Sequence, residues 1–173
     1  MKVLLPFQAM SQYAGDVPSP YRASACGPVT VASILRYHEG QAPGIGPLYK
    51  LLGATPIGLS AFCLIRRLRK LVGPRYDIQR IRSLEQIKRQ LDAGYPLAVK
   101  FDRYFSLRWR QATTFAYHWV PLIGYEETEG DLLLLIHDNG QKNRPSKLRA
   151  VSLRENQGVL SFIRISPVSK SGE

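Results

Sequence analysis

The chain has 173 residues, enough for one domain with a buried core, and its 45% hydrophobic and 21% charged residues exclude a wholly disordered chain. The net charge of +11 points towards anionic partners such as nucleic acid, anionic lipid or acidic peptide. Two cysteines, Cys26 and Cys63, exclude a disulfide framework and leave at most one bridge, and no window reaches the roughly 18–20 apolar residues of a membrane helix.

The first 21 residues read as irregular, with an apolar start too short for a signal-peptide core and with Pro18 and Pro20 marking a loop. A cytoplasmic location follows as an expectation. Gly27-Pro28 opens a predicted helix over 27–39 that Gly40 stops, with Val31, Ile34 and Leu35 as its apolar stripe. The Gly- and Pro-rich segment 41–56 reads as a loop with one turn of helix at most. A second helix is predicted over 59–71, with Phe62, Ile65, Leu68 and Leu71 inward and the basic side chains outward. Ser83, with Gln86 as its capping-box partner, starts a third helix that ends at Gly94.

Beyond that point the apolar period changes to two. Segments 96–101, 116–125, 132–137, 148–152 and 159–165 read as strands. Helices followed by an antiparallel sheet give an α+β fold in a single domain over 1–165, with 166–173 as a flexible tail. The densest positive charge runs over 66–110 and includes Arg66, Arg67, Arg69 and Lys70. It fits a solvated helix face, and no nucleic-acid-binding motif accompanies it.

Cys26 stands immediately before a predicted helix, where unpaired N–H groups and the positive end of the helix dipole favour a thiolate. Cys63, in mid-helix near Phe62 and Ile65, reads as an inert core cysteine. A nucleophilic thiol needs a base and a group that orients it. His38 lies about 18 Å along the helix from Cys26 and is too far. His137 and Asp138 are strand neighbours and point to opposite faces, so if Asp138 orients the base, that base is His118. The same residues also fit a backbone-bonded core histidine and an Asp138-Asn139-Gly140 turn.

Four blocks carry a resemblance. Ala25-Cys26-Gly27-Pro28-Val29-Thr30-Val31-Ala32-Ser33-Ile34-Leu35 resembles the nucleophile helix of the bacteriocin-processing (double-glycine leader) peptidases and their wider relatives. Leu91-Asp92-Ala93-Gly94-Tyr95-Pro96-Leu97-Ala98-Val99 resembles the segment before the family's catalytic strand. His118-Trp119-Val120-Pro121-Leu122-Ile123-Gly124-Tyr125 resembles its histidine strand, and Leu135-Ile136-His137-Asp138-Asn139-Gly140 its acidic strand end. The blocks occur in the family's order between Leu4 and Gly140.

The resemblance implies a papain-like fold and a Cys26-His118-Asp138 triad. It also implies a glutamine upstream of the nucleophile whose amide joins the Cys26 N–H in an oxyanion hole. Gln12 is preferred over Gln8, although 16–23 lengthen the gap to Cys26 beyond that of the leader peptidases. Asn139 replaces a common proline and is an alternative orienting group, as Asn is in papain. The implied activity is amide hydrolysis through a thioester, with no metal or organic cofactor. The implied partner is a peptide or protein substrate that is acidic where the basic stretch takes part. Amidase and acyl-transferase variants, a catalytically silent peptide-binding module and a basic nucleic-acid or anionic-surface binder remain as alternatives.

Overall fold

The computed structural model describes residues 1–168. The period-two segments form strands β3 (Leu97–Asp102), β4 (Tyr117–Thr128), β5 (Asp131–Asp138), β6 (Lys147–Ser152) and β7 (Leu160–Pro167). Two further strands complete the sheet: β1 (Lys2–Leu4) and β2 (Tyr76–Ile81). The order is β2-β7-β3-β4-β5-β6, every pair is antiparallel, and β1 pairs β4 in line with β3.

The β1 docking needs a glycine. A Cβ on Gly124 would lie 2.1 Å from the Val3 carbonyl oxygen. A bulge at Ile123 shifts the β4–β5 register between Leu122 and Gly124, and its carbonyl accepts the Leu5 N–H at 2.8 Å. Four helices accompany the sheet: α1 (Cys26–Glu39), α2 (Ile45–Leu52), α3 (Ala61–Val72) and α4 (Leu84–Asp92), with α2 packed mainly on α1 and α3. α1 lies mainly against β4, and Cys26 through Leu35 are all buried. Its first turn lacks a side-chain cap, whereas Gly40 in the left-handed conformation (φ 75°) closes its C-terminus on the Arg36 carbonyl.

Several expectations change. α2 is two turns of helix inside a segment read as loop; Ile45, Leu48, Tyr49 and Leu52 give it an apolar face that the flanking glycines mask. β2 was not expected, because its apolar residues do not keep a period of two and it sits within the basic stretch. Tyr76, Ile78 and Ile81 are its buried residues. On α3 the buried row is Leu64, Leu68 and Val72, at i, i+4 and i+8, while Phe62 and Leu71 face outward. Ser83 occupies the α4 N-cap without a side-chain capping bond. Ser166 and Pro167 belong to β7 rather than to a tail, because β7 pairs β2 to its end and the Ser166 hydroxyl donates to Gln90 Oε1 at 2.9 Å. The rest of the expected tail, 169–173, lies outside the described residues.

Cys26 and Cys63 are both free thiols. Among the described residues no helix is long and apolar enough to cross a membrane, and no group of three His, Cys, Asp or Glu side chains could hold a metal ion.

Candidate active site

Cys26 is the first residue of α1 and is 4% exposed. The short 3-10 helix Ser19–Ser24 runs into it, and the first turn of α1 has no side-chain cap, so the thiol stands at the positive end of the helix dipole. Gly27 follows because Leu59 leaves no room: a Cβ there would meet Leu59 Cδ2 at 2.9 Å.

His118 is the second residue of β4, opposite Phe101 of β3. The ring meets both Cys26 and Asp138. Its Nε2 faces Asp138 Oδ1 at 3.6 Å, an ion-pair distance longer than a hydrogen bond. Phe115 packs on the other side, its centroid 4.8 Å from the imidazole, and Phe101 packs edge-on against Phe115 at 5.1 Å. Burial opposes the charged imidazolium, but Asp138 and Cys26 together outweigh it and raise the His118 pKa to about 9.

Asp138 ends β5 and is 1% exposed. Burial alone would raise its pKa; His118, Arg144 and Arg149 reverse this and hold it well below the ordinary carboxylate range. Oδ2 accepts from Arg144 Nη2 at 2.7 Å and Arg149 Nη1 at 3.2 Å, and Oδ1 accepts the Gly140 N–H at 3.1 Å. His137 points away from this carboxylate's partners; its buried Nδ1 has no hydrogen-bond partner, and burial lowers its pKa. His38 bonds the Ile165 carbonyl at 3.0 Å among Tyr37, Tyr76 and Tyr95, remote from the cluster.

Asn139 is not a second orienting group for the histidine. It is fully buried, and its amide nitrogen donates to the Cys26 carbonyl at 3.1 Å, Thr30 Oγ1 at 3.0 Å and the Trp119 carbonyl at 2.7 Å. Two carbonyl acceptors fix which amide atom is nitrogen. Asn139 therefore ties the start of α1 to β4 just beyond His118, a structural role that the sequence pattern does not reveal.

Gln12 is buried, whereas Gln8 is exposed. The Gln12 backbone N–H bonds the Asn139 carbonyl at 2.9 Å, so the loop carrying Gln12 is stitched to the residue after Asp138. Its side-chain nitrogen donates to the Arg22 carbonyl at 2.8 Å, which fixes the amide orientation and leaves one N–H hydrogen for another acceptor. The long segment before Cys26 folds back on itself: Arg22 Nε donates to the Val17 carbonyl at 3.0 Å. The extra residues thus close a loop that returns Gln12 to the acid-bearing strand end.

Beside Tyr117 lies an apolar cleft of about 380 Å³, with Ile57, Leu59, Cys63 and Phe105 among its walls. Cys63 is thus half-buried on a cleft wall rather than a core residue. Tyr117 OH accepts the Leu59 N–H at 2.7 Å and donates to the Leu59 carbonyl at 3.0 Å, and Trp119 Nε1 donates to the same carbonyl at 2.9 Å. The residues on either side of His118 therefore clamp the loop that touches Gly27. Phe105 joins the cleft wall, whereas Tyr104 and Trp109 are exposed outside it.

The chain resembles solved peptidase domains in fold. Over 94% of its length and 99% of the other chain it is similar to the peptidase domain of Streptococcus ComA, a bi-functional ABC transporter involved in quorum sensing, at 18% identity and a TM-score of 0.59. Over 98% of its length and all 100% of the other chain it is similar to a Bacillus anthracis protein described as C39-like, at 17% identity and a TM-score of 0.64. No protein of curated function matches it significantly. The sequence also matches the Peptidase_C39 like family over residues 4–169. The expected papain-like α+β fold is therefore present, and this chain belongs to the Peptidase_C39 like family.

Proposed function

We propose that the protein is a cysteine peptidase that cleaves peptide bonds through a thioester on Cys26. The observation that carries this reading is the meeting of Cys26, His118 and Asp138 at the uncapped start of α1. His118 Nδ1 takes the thiol proton and the sulfur attacks the scissile carbonyl carbon. The oxyanion is stabilised by the Cys26 N–H and the spare Gln12 amide hydrogen. His118 then passes its proton to the leaving amine, and a water activated by the same ring hydrolyses the thioester. Asp138 holds the ring and its positive charge throughout.

The expected substrate is a peptide with an acidic segment. Arg66, Arg67 and Lys70, with Leu51 and Leu71, line a groove of about 500 Å³ on α3. None of the three cations has an acidic partner among the described ion pairs. The other end of the same helix lines the apolar cleft beside Tyr117, so a peptide seated in that cleft has the basic groove within reach.

A peptide library scored by mass spectrometry tests this reading. Hydrolysis that disappears in both Cys26→Ala and His118→Ala supports it. Hydrolysis that survives Cys26→Ala removes it. A tightly bound but uncleaved peptide would favour the silent binding module instead.

A further inference from the structure

A carboxylate that serves only to orient a histidine would need one partner and one backbone donor. Asp138 has more. Its Oδ2 receives both Arg144 at 2.7 Å and Arg149 at 3.2 Å, while Oδ1 is left to the Gly140 N–H at 3.1 Å and to His118 at 3.6 Å. Both arginine side chains are half-buried, with exposures of 28% and 33%. Surface ion pairs contribute little, but these two converge on a carboxylate with only 2% of its side chain exposed, where screening by water is weak.

The two arginines arrive by separate routes. Arg144 closes the turn after Asp138, where Gln141 N–H bonds the Arg144 carbonyl at 2.9 Å and Arg144 N–H bonds the Gln141 carbonyl at 3.1 Å. Arg149 comes from β6, opposite Ile136, and so lies diagonally across the strand pair from Asp138 on the same face. Arg149 has a second contact: its guanidinium carbon sits 5.0 Å from the Phe115 centroid, and Phe115 covers His118. One side chain therefore touches both groups that hold the imidazole.

We propose that Arg149, assisted by Arg144, is a positioning residue for His118, pinning Asp138 by one oxygen so that the other aims at the ring while Phe115 is held over it. The proposal rests on His118 being the base. It has an electrostatic consequence. The guanidinium groups oppose the imidazolium that Asp138 favours, so they keep His118 less basic than an unshared carboxylate would, and closer to the pH at which a base must release its proton. The titratable groups facing His118 are Cys26 from α1 and Asp138 from β5, with Arg144 and Arg149 acting through Asp138.

Titration of the His118 ring by nitrogen-15 NMR in the full chain tests this directly. Arg149→Met removes the charge and the fork but keeps an unbranched apolar stem; Arg149→Lys keeps the charge. The His118 midpoint should rise by roughly half to one pH unit in Arg149→Met and return towards the wild-type value in Arg149→Lys. Arg144→Met gives the same upward direction from outside the sheet, should β6 not tolerate methionine. An unchanged or lowered midpoint in the methionine variants would overturn the proposal. Failure of the base reading itself shows separately, because Cys26→Ala would then leave the His118 midpoint where it stands.

Discussion

Removing the Asn139 side chain would leave the buried Cys26 and Trp119 carbonyls without their shared donor. Asn139→Ala should therefore destabilise the fold by about 2–3 kcal/mol in urea unfolding, since two acceptors lose their partner and a buried volume empties. Asn139→Asp should fare no better, because an ionised carboxylate has no hydrogen to donate and a protonated one could serve only one of the two carbonyls. The residues expected from the sequence, Cys26, His118, Asp138 and Gln12, lie in one neighbourhood of the structure, and strand alternation sets His137 apart from its neighbour Asp138. The roles of Arg144, Arg149 and Asn139 were not legible. A hydrogen bond between side chains far apart in sequence leaves no periodic trace, and an arginine on an edge strand reads as an ordinary surface charge.

At the scale of elements, the close approach of β1 to β4 depends on one missing side chain. Gly124→Ala would push a methyl group into the Val3 carbonyl, which a Cβ would meet at 2.1 Å. A loss of about 1–3 kcal/mol is expected. Deuterium exchange should then speed up at Leu5, whose N–H bonds the Ile123 carbonyl, while α3 stays protected. Exchange that rises everywhere would mean global rather than local loosening. Period-two alternation located β3 to β7, because each has a buried face and short turn-rich connections. It missed β2, whose apolar positions are interrupted by polar and basic residues, and it turned α3 by part of a turn. Counting in threes from Phe62 gives a stripe, yet counting in fours from Leu64 gives the row that packs, and only the neighbours of the helix decide between them.

At the scale of the whole molecule, the raised His118 pKa makes stability depend on pH. The folded state holds the proton to about 9, against an ordinary 6.5, so it binds more protons than the unfolded chain between those values. This contribution is complete below about 6.5 and is lost as pH rises through about 9. Urea midpoints should fall across that window, and His118→Ala should flatten the slope. Asp138 works in the opposite sense: its lowered pKa gives stability that is present above the ordinary carboxylate range and is lost only in stronger acid. The basic groove on α3 makes a second prediction at this scale. Cleavage of acidic peptides should weaken several-fold in KM as salt rises from 50 to about 300 mM, with little change for neutral peptides, and Arg66→Glu with Lys70→Glu should abolish the difference. The fold class was legible because four motifs stand in family order, but the strand order, with β1 in line with β3 and β2 beyond β7, was not, because register is set by pairings remote in sequence.

The pairing of Cys26 with His118 is tested most directly by alkylation. Folded protein would be treated with a brief, limiting exposure to iodoacetamide near neutral pH, and the label mapped by mass spectrometry on Cys26 and Cys63. Burial alone predicts the reverse of activation, since Cys26 is 4% exposed and Cys63 is the more open thiol. An activated pair predicts that Cys26 is labelled at least tenfold faster than Cys63, and that His118→Ala removes the advantage without altering the rate at Cys63. Labelling of Cys63 first, or a Cys26 rate indifferent to residue 118, would contradict the account.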